Sequence, residues 1–411
     1  MTPVTAGMAL LPLDEAQRRL LARADPMEGE TVALVDAVGR VLVEPMIHAP
    51  IDVPTFASSA MDGYAVRATE TPGRLRVVGE AAAGMASPPS VAPGTTVRIM
   101  TGAPIPPGAD AVVPIEAASE EADGTVELAL ASSGAHVREA AHDTRAGDEV
   151  CVPGILTAPK IAVLASLGLG SVLVRQRPVV GILSTGDELV GAGEPLGPNQ
   201  LHDANSVALA AAVREAGGEP MILPRARDDA AEIERTLLWA AERADLLVTS
   251  AGVSVGRHDY VRAVLEARGS LDFWRISIQP GKPLAVGSLG GRTVVGLPGN
   301  PVSALVVFEL FVRPFVHAML GLAGDGRMRV RAVADERIGK DPGRRAFLRV
   351  VVRAEGDGLH ARAAGGQQSS QLRPLAHANA LLVVPEGPDA AEPGRSYEAI
   401  LLEPLAEGSD S

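Results

Sequence analysis

Residues 178–189 read PVVGILSTGDEL, and the fold is decided by this stretch. Its first part, PVVGILS at 178–184, is an unbroken apolar run that predicts a strand covered on both faces. Downstream, strands and helices alternate. The pattern predicts a helix over 205–216 that stops at Gly217-Gly218, a strand at 221–224 and a helix over 229–243. In that helix Ile233, Leu237 and Ala241 share one face. A strand at 245–250, a helix over 259–268, three short β runs around 273–279, 284–288 and 293–297, and a long helix after Asn300 complete the series. Such alternation predicts a three-layer α/β/α domain with a mostly parallel sheet, over residues 178–326.

The flanks differ in pattern. Residues 13–24 carry Leu13, Ala16, Leu20 and Leu21 at helical spacing, and 158–168 also reads as helical. Between them, residues 45–144 are rich in Gly, Pro, Ala and Val, with short β runs at 75–78 and 96–99 and a loop at 86–94. The expected organisation is an N-terminal domain made of 1–44 plus 145–177, interrupted by an inserted β-rich module. From 327 to 411 the helical period is lost, which predicts a small antiparallel sheet or a barrel.

Composition narrows the function classes. Hydrophobic residues make up 46% and charged residues 21%, enough for a packed core, and the few aromatics (3%) leave that core to Val, Leu, Ile and Ala. A net charge of −13 without basic stripes argues against nucleic-acid binding. Only three lysines occur, Lys160, Lys282 and Lys340, so a Lys on a functional loop is informative. The single cysteine, Cys151, rules out an intramolecular disulfide and a cysteine zinc site, and reads as a small buried hydrophobe. The apolar stretch 301–322 is interrupted by Glu309, Arg313 and His317, and no secretory leader is visible, so no membrane association and a cytoplasmic location are expected.

In an open α/β sheet, ligands bind beyond the carboxyl ends of the strands, and three loops fall there. The first is Ser184-Thr185-Gly186-Asp187-Glu188-Leu189, whose carboxylates suit a hard cation; an N-cap box for a following helix explains it equally well. The second runs Ser250-Ala251-Gly252-Val253-Ser254-Val255-Gly256 and on to Asp259, a usable phosphate cradle or a plain turn. In the third, Leu297-Pro298-Gly299-Asn300-Pro301-Val302-Ser303, Asn300 reads as an N-cap and Pro301 as the first helical residue, which leaves N–H groups for an oxyanion. Pro280-Gly281-Lys282-Pro283 adds a rigidly held ammonium. Three His-Asp dipeptides, at 142–143, 202–203 and 258–259, lack the spacing of a histidine metal site.

Taken together, STGDEL, the DAN of 203–205, the RDD of 227–229, GVSVG before HDY, PGKP and GLPGNPVSA resemble the molybdopterin molybdenumtransferase family of MoeA and the gephyrin E domain. APIDVPTFASSAMDGYAV at 49–66 and RIMTGAP at 98–104 match further hallmarks of that family. The resemblance implies an elongated homodimer built on the N-terminal domain, an inserted module that meets the partner's α/β domain, and a C-terminal barrel-like domain that closes the cleft. It implies Mg²⁺-dependent hydrolysis of adenylyl-molybdopterin coupled to insertion of molybdate. Transient contact with the molybdopterin adenylyltransferase and with molybdoenzyme chaperones goes with that role.

By motif position, Asp187, Glu188, Asp228 and Asp259 correspond to the acidic set, with Asp187, Glu188 and Asp259 as metal ligands. Asp62, Thr101 and Asp143 correspond to the partner subunit's contribution. Arg275, Lys282, Pro298, Pro301, Arg349 and Ser369 correspond to the molybdate and pterin-phosphate side. Ser184, Thr185, Gly186, Asp203, Asn205, Ser250, Gly252, Ser254, Gly256, Gly299 and Asn300 complete the expected substrate loops. Four positions depart from the pattern: Ala251 for a glycine, Ala204 for a hydroxyl residue, and Gln279 and Arg275 where some members carry Lys. The alternatives are a molybdopterin adenylyltransferase, which would need ATP, and a non-catalytic scaffold.

Overall fold

A computed structural model of the chain describes residues 10–43, 46–251, 260–356 and 358–405, with Trp274 by its backbone alone. The chain divides into two compact units, Met1–Glu30 with Arg175–Ser411, and Thr31–Val174.

The first unit is built on the strand Val179–Ser184. It pairs in parallel with Glu219–Ile222 on one side and Leu246–Ser250 on the other, and Leu246–Ser250 pairs in parallel with Arg292–Leu297. Ala285–Leu289 then runs antiparallel, and Ser270–Trp274 closes the far edge. The sheet is thus mostly parallel, as its apolar runs require, and Ile182, Leu183, Leu246 and Leu247 are fully buried within it. Strand order reverses between Val179–Ser184 and Leu246–Ser250, which marks the ligand crevice of a doubly wound sheet. Register aligns the strand ends there, Ser184 opposite Ser250 and Ser250 opposite Leu297.

The flanking helices begin where short polar side chains can take up orphan amides. Asp203 accepts the Ser206 amide at 3.0 Å to start Ala204–Glu215, and Asp229 accepts the Glu232 amide at 2.8 Å to start Ala230–Ala241. Ile233, Leu237 and Ala241 pack with Val261, Val264 and Leu265 of Tyr260–Arg268 in one core. The helix Pro301–Met319 is long and apolar enough to cross a membrane, yet 83% of its most apolar window lies inside the protein, as in a core helix. It passes through a π turn at Phe308–Val312.

The run expected at 273–279 is split. Ser270–Trp274 stays in the α/β sheet, while Ile278–Gln279 pairs in parallel with Arg345 and Ala346 of the C-terminal domain. That domain is a closed barrel of Arg329–Ala334, Arg345–Glu355, Gly358–Ala363, Ala380–Val384 and Ser396–Leu401. Closure rests on the eleven-residue strand Arg345–Glu355, whose first half pairs with Ala380–Val384 and whose second half pairs with Gly358–Ala363. One pairing, with Val333 opposite His360 and Ala334 opposite Ala361, is parallel, so the barrel is not wholly antiparallel.

The helix Leu13–Leu21 also belongs to the first unit, whereas the sequence grouped it with 145–177. Leu13, Ala16 and Leu20 are buried, Gln17 Nε2 donates to the Leu310 carbonyl at 2.7 Å, and Asp14 meets Arg345 at 2.8 Å. Its apolar face is covered by the α/β domain's last helix, a partner that no local pattern announces.

The second unit contains the expected β module, a six-stranded sheet in the order Ala111–Pro114, Gly63–Val66, Thr95–Ile99, Gly73–Ala81, Thr125–Leu128, Ala118–Glu120. Gly63 is needed there, because a Cβ would lie 2.0 Å from the Val113 carbonyl oxygen. Cys151 is buried, and burial pushes its thiol pKa up, in keeping with a packing role.

Candidate active site

At the switch point of the sheet, Ser184 leads into Thr185, which bridges in parallel to Ala226 and so sets the Asp187 turn beside Asp228. The Asp228 amide donates to Asp187 Oδ1 at 3.3 Å. Asp187 and Glu188 are exposed and Asp228 is half-buried. Ser184 Oγ donates to Asp203 Oδ1 at 3.1 Å, so this carboxylate ties the first loop to the helix it caps.

Asn205 joins the loops. Its Nδ2 donates to Ser250 Oγ at 2.6 Å and to the Gly299 carbonyl at 2.7 Å. Around it lies a cavity of about 490 Å³ whose walls include Thr185, Glu188, Asp203, Asn205, Ser250, Pro298, Gly299, Asn300 and Pro301. A second cavity of about 560 Å³ shares Pro283, Pro298 and Asn300 with it and is lined further by Lys282, Ser303, Arg344, Gln367, Gln368 and Ser369. The first cavity thus carries carboxylates, and the second carries cations, amides and hydroxyls around the start of the Pro301 helix.

Asn300 occupies the N-cap position but its side chain makes no cap hydrogen bond; Nδ2 donates to Ser369 Oγ at 3.1 Å instead. The helix start therefore holds the C-terminal domain's loop rather than sealing itself. Arg349 is fully buried. Its Nη2 donates to the Gly366 carbonyl at 2.7 Å and to Gln368 at 3.3 Å, while Gln367 bridges the Arg349 backbone. Its Nε and Nη1 have no hydrogen-bond partner among the described residues, and burial lowers its pKa. Arg349 shapes the Gly366–Ser369 loop from behind and lines neither cavity.

Other expected residues lie elsewhere. Arg275 sits at φ 85° with its backbone tied to Leu284 and Leu11, and lines neither cavity. Gly252, Ser254, Gly256 and Asp259 fall outside the described residues. In the second unit, Asp62 Oδ1 accepts both the amide and the hydroxyl of Thr101 at 2.7 Å, and these two bonds hold its pKa below the usual carboxylate range. Asp143 lies on a separate turn, with its amide on the Val53 carbonyl and Thr144 Oγ1 on its carboxylate at 3.1 Å. Arg344, Gln367 and Gln368 were not picked out in the sequence, since their approach to the Pro301 helix arises only from barrel closure.

No cluster of three metal-ligating side chains occurs among the described residues. Mg²⁺ commonly uses one or two carboxylates plus substrate phosphates, and the paired Asp187 and Asp228 turns offer hard oxygen donors of that kind.

Residues 11–168 match the MoeA N-terminal region (domains I and II), residues 181–318 a probable molybdopterin binding domain, and residues 331–402 the MoeA C-terminal region (domain IV). Molybdopterin molybdenumtransferase 2 of Mycobacterium tuberculosis is 40% identical over 373 residues, covering 87% of this chain and 91% of that protein. The molybdopterin molybdenumtransferase of Bacillus subtilis is 34% identical over 405 residues, covering 95% and 94%. A molybdopterin biosynthesis MoeA protein from Pyrococcus horikoshii superposes with a TM-score of 0.82 at 32% identity, covering 96% of this chain and all (100%) of that one. Three successive family regions in order, together with relatives matched over nearly their full length, show that this chain belongs to the molybdopterin molybdenumtransferase family.

Proposed function

We propose that this chain inserts molybdenum into molybdopterin by binding adenylyl-molybdopterin across the two contiguous cavities, hydrolysing its phosphoanhydride with release of AMP, and passing molybdenum from molybdate to the dithiolene. The observation that carries this reading is the junction itself: a carboxylate-lined cavity and a cation-lined one share the Pro283, Pro298 and Asn300 wall. Asp187 and Asp228 would hold Mg²⁺ with Glu188 of the cavity wall, and Asp259 is assigned to the same set by motif position alone; the cation would offset the phosphates' charge, which carboxylates alone would repel. Thr185, Ser250 and Asn205 would orient the nucleotide end. Lys282, Ser369 and the amides of the Pro301 helix would seat the oxyanion. Asp62, Thr101 and Asp143 would act on the partner subunit's cleft in a homodimer.

The test is direct. Purified chain with Mg²⁺, molybdate and adenylyl-molybdopterin should release AMP and activate an apo-molybdoenzyme, and Asp187→Asn should lower turnover about a hundredfold. Absence of AMP release, or ATP-dependent adenylylation of molybdopterin instead, overturns the proposal.

A further inference from the structure

Gln279 lines the same cavity as Lys282 and is neutral. A second cation stands close by. Ile278 and Gln279 pair in parallel with Arg345 and Ala346, which brings the turn before the long barrel strand beside Gln279. From that turn Arg344 lines the same cavity as Gln279 and Lys282, and no described residue lining that cavity is acidic.

The turn is held from several sides. The buried Lys340 ammonium donates to the carbonyls of Asp341 at 2.9 Å and of Arg344 at 2.6 Å. Ser277 Oγ donates to the Gly343 carbonyl at 3.2 Å, and the Asp341 amide donates to Gln279 Oε1 at 2.8 Å. Gln279 therefore brings no charge of its own but anchors the turn that does. The Arg344 guanidinium is meanwhile engaged: Nε and Nη2 donate to Asp341 Oδ2 at 2.9 and 2.6 Å. The pair is partly exposed, with side-chain exposures of 25% and 43%, and such pairs exchange partners at little cost.

We propose that Arg344 is an oxyanion-binding residue of this site and that Asp341 is its resident counter-ion, displaced when a tetrahedral dianion enters the Lys282 cavity. This rests on the molybdenumtransferase reading and specifies its oxyanion subsite. A planar guanidinium can give two parallel hydrogen bonds to such an anion, which an ammonium at Gln279 could not. Asp341 in turn sets a threshold, because any entering anion must outcompete a carboxylate already in place.

The experiment is calorimetric titration of the full chain with molybdate, and in a parallel arm with inorganic phosphate, at fixed ionic strength. Circular dichroism and thermal melting verify the fold of each variant. Arg344→Gln should weaken molybdate binding about tenfold, and Arg344→Lys less. Asp341→Asn should tighten it several-fold, and should have no such effect in the Arg344→Gln background. Arg331→Gln, a barrel-surface change outside both cavities, should bind as the unaltered chain does. Phosphate competing as well as molybdate would identify the subsite as one for the pterin phosphate while leaving the roles of Arg344 and Asp341 supported. Native-like Arg344→Gln with unchanged affinity, or Asp341→Asn that fails to tighten binding, overturns the inference and leaves the pair a surface staple. Should Arg344→Gln not fold, Asp341→Asn decides alone. No anion binding by the unaltered chain would overturn the oxyanion reading itself, a different result from a variant that matches it.

Discussion

Ala251 carries the clearest strain at the level of one residue. It sits at φ 74°, a conformation that favours glycine. Holding a Cβ there costs about 1–2 kcal/mol, whereas glycine would cost about 0.4–1 kcal/mol through its freer unfolded chain. Strain outweighs chain entropy, so Ala251→Gly is expected to stabilise the chain by about 0.5–1 kcal/mol, measurable as a shifted denaturant midpoint with an unchanged slope. A lowered midpoint would mean that the Ala251 methyl is held by packing. That methyl does limit its neighbour, since a Cβ on Gly299 would come within 3.2 Å of it. The loops meet so closely that a side chain on Gly299 would require Ala251 to shift by a few tenths of an ångström.

Among elements, the site depends on three strand ends kept in register and on the one side chain that bridges their loops. Asn205→Ala removes two donors' worth of bonding, to Ser250 Oγ and to the Gly299 carbonyl, each contributing about 1 kcal/mol net. A loss of about 2 kcal/mol is expected from these two bonds, with a raised KM for adenylyl-molybdopterin. Asn205→Asp, of the same shape but with no donor, should not restore it; full recovery by Asp would show that only the side chain's volume matters. Much of this level was legible in the sequence. PVVGILS, the helices expected over 205–216 and 229–243 and the strand expected at 245–250 declare themselves through local period, whereas the caps at Asp203 and Asp229 were not picked out. The run at 273–279 did not, because its second half is a strand only through pairing with Arg345, far along the chain. Arg344 and Gln367 were hidden for the same reason. Asn300 is the N-cap residue and Pro301 the first helical residue, as expected, but nothing local reveals Ser369 as the partner that takes the Asn300 side chain.

In the first unit as a whole, the α/β domain and the barrel are joined by a half-buried charge cluster. Glu309, set in the π turn, accepts from Arg327 Nε and Nη2, both at 2.9 Å, and from Arg313 Nε at 2.8 Å; Arg327 Nη1 also donates to the Leu402 carbonyl at 2.7 Å. His317 lies beside this cluster, buried and packed under Gly326, where a Cβ would come 2.4 Å from its Cε1. Burial lowers its pKa from 6.5, the Arg313 and Arg327 charges lower it further, and Asp325 and Glu309 act against them. The unfolded chain therefore takes up a proton near pH 6.5 that the folded chain refuses. Stability from this residue is fully present above that pH and is lost progressively as pH falls toward the depressed folded value. Melting temperatures followed from about pH 7.5 down to about pH 5.5 should decline, and His317→Gln, which cannot take up that proton, should flatten the decline. The same slope in the variant would assign the acid sensitivity to other groups and leave His317 a purely packed side chain at the domain junction.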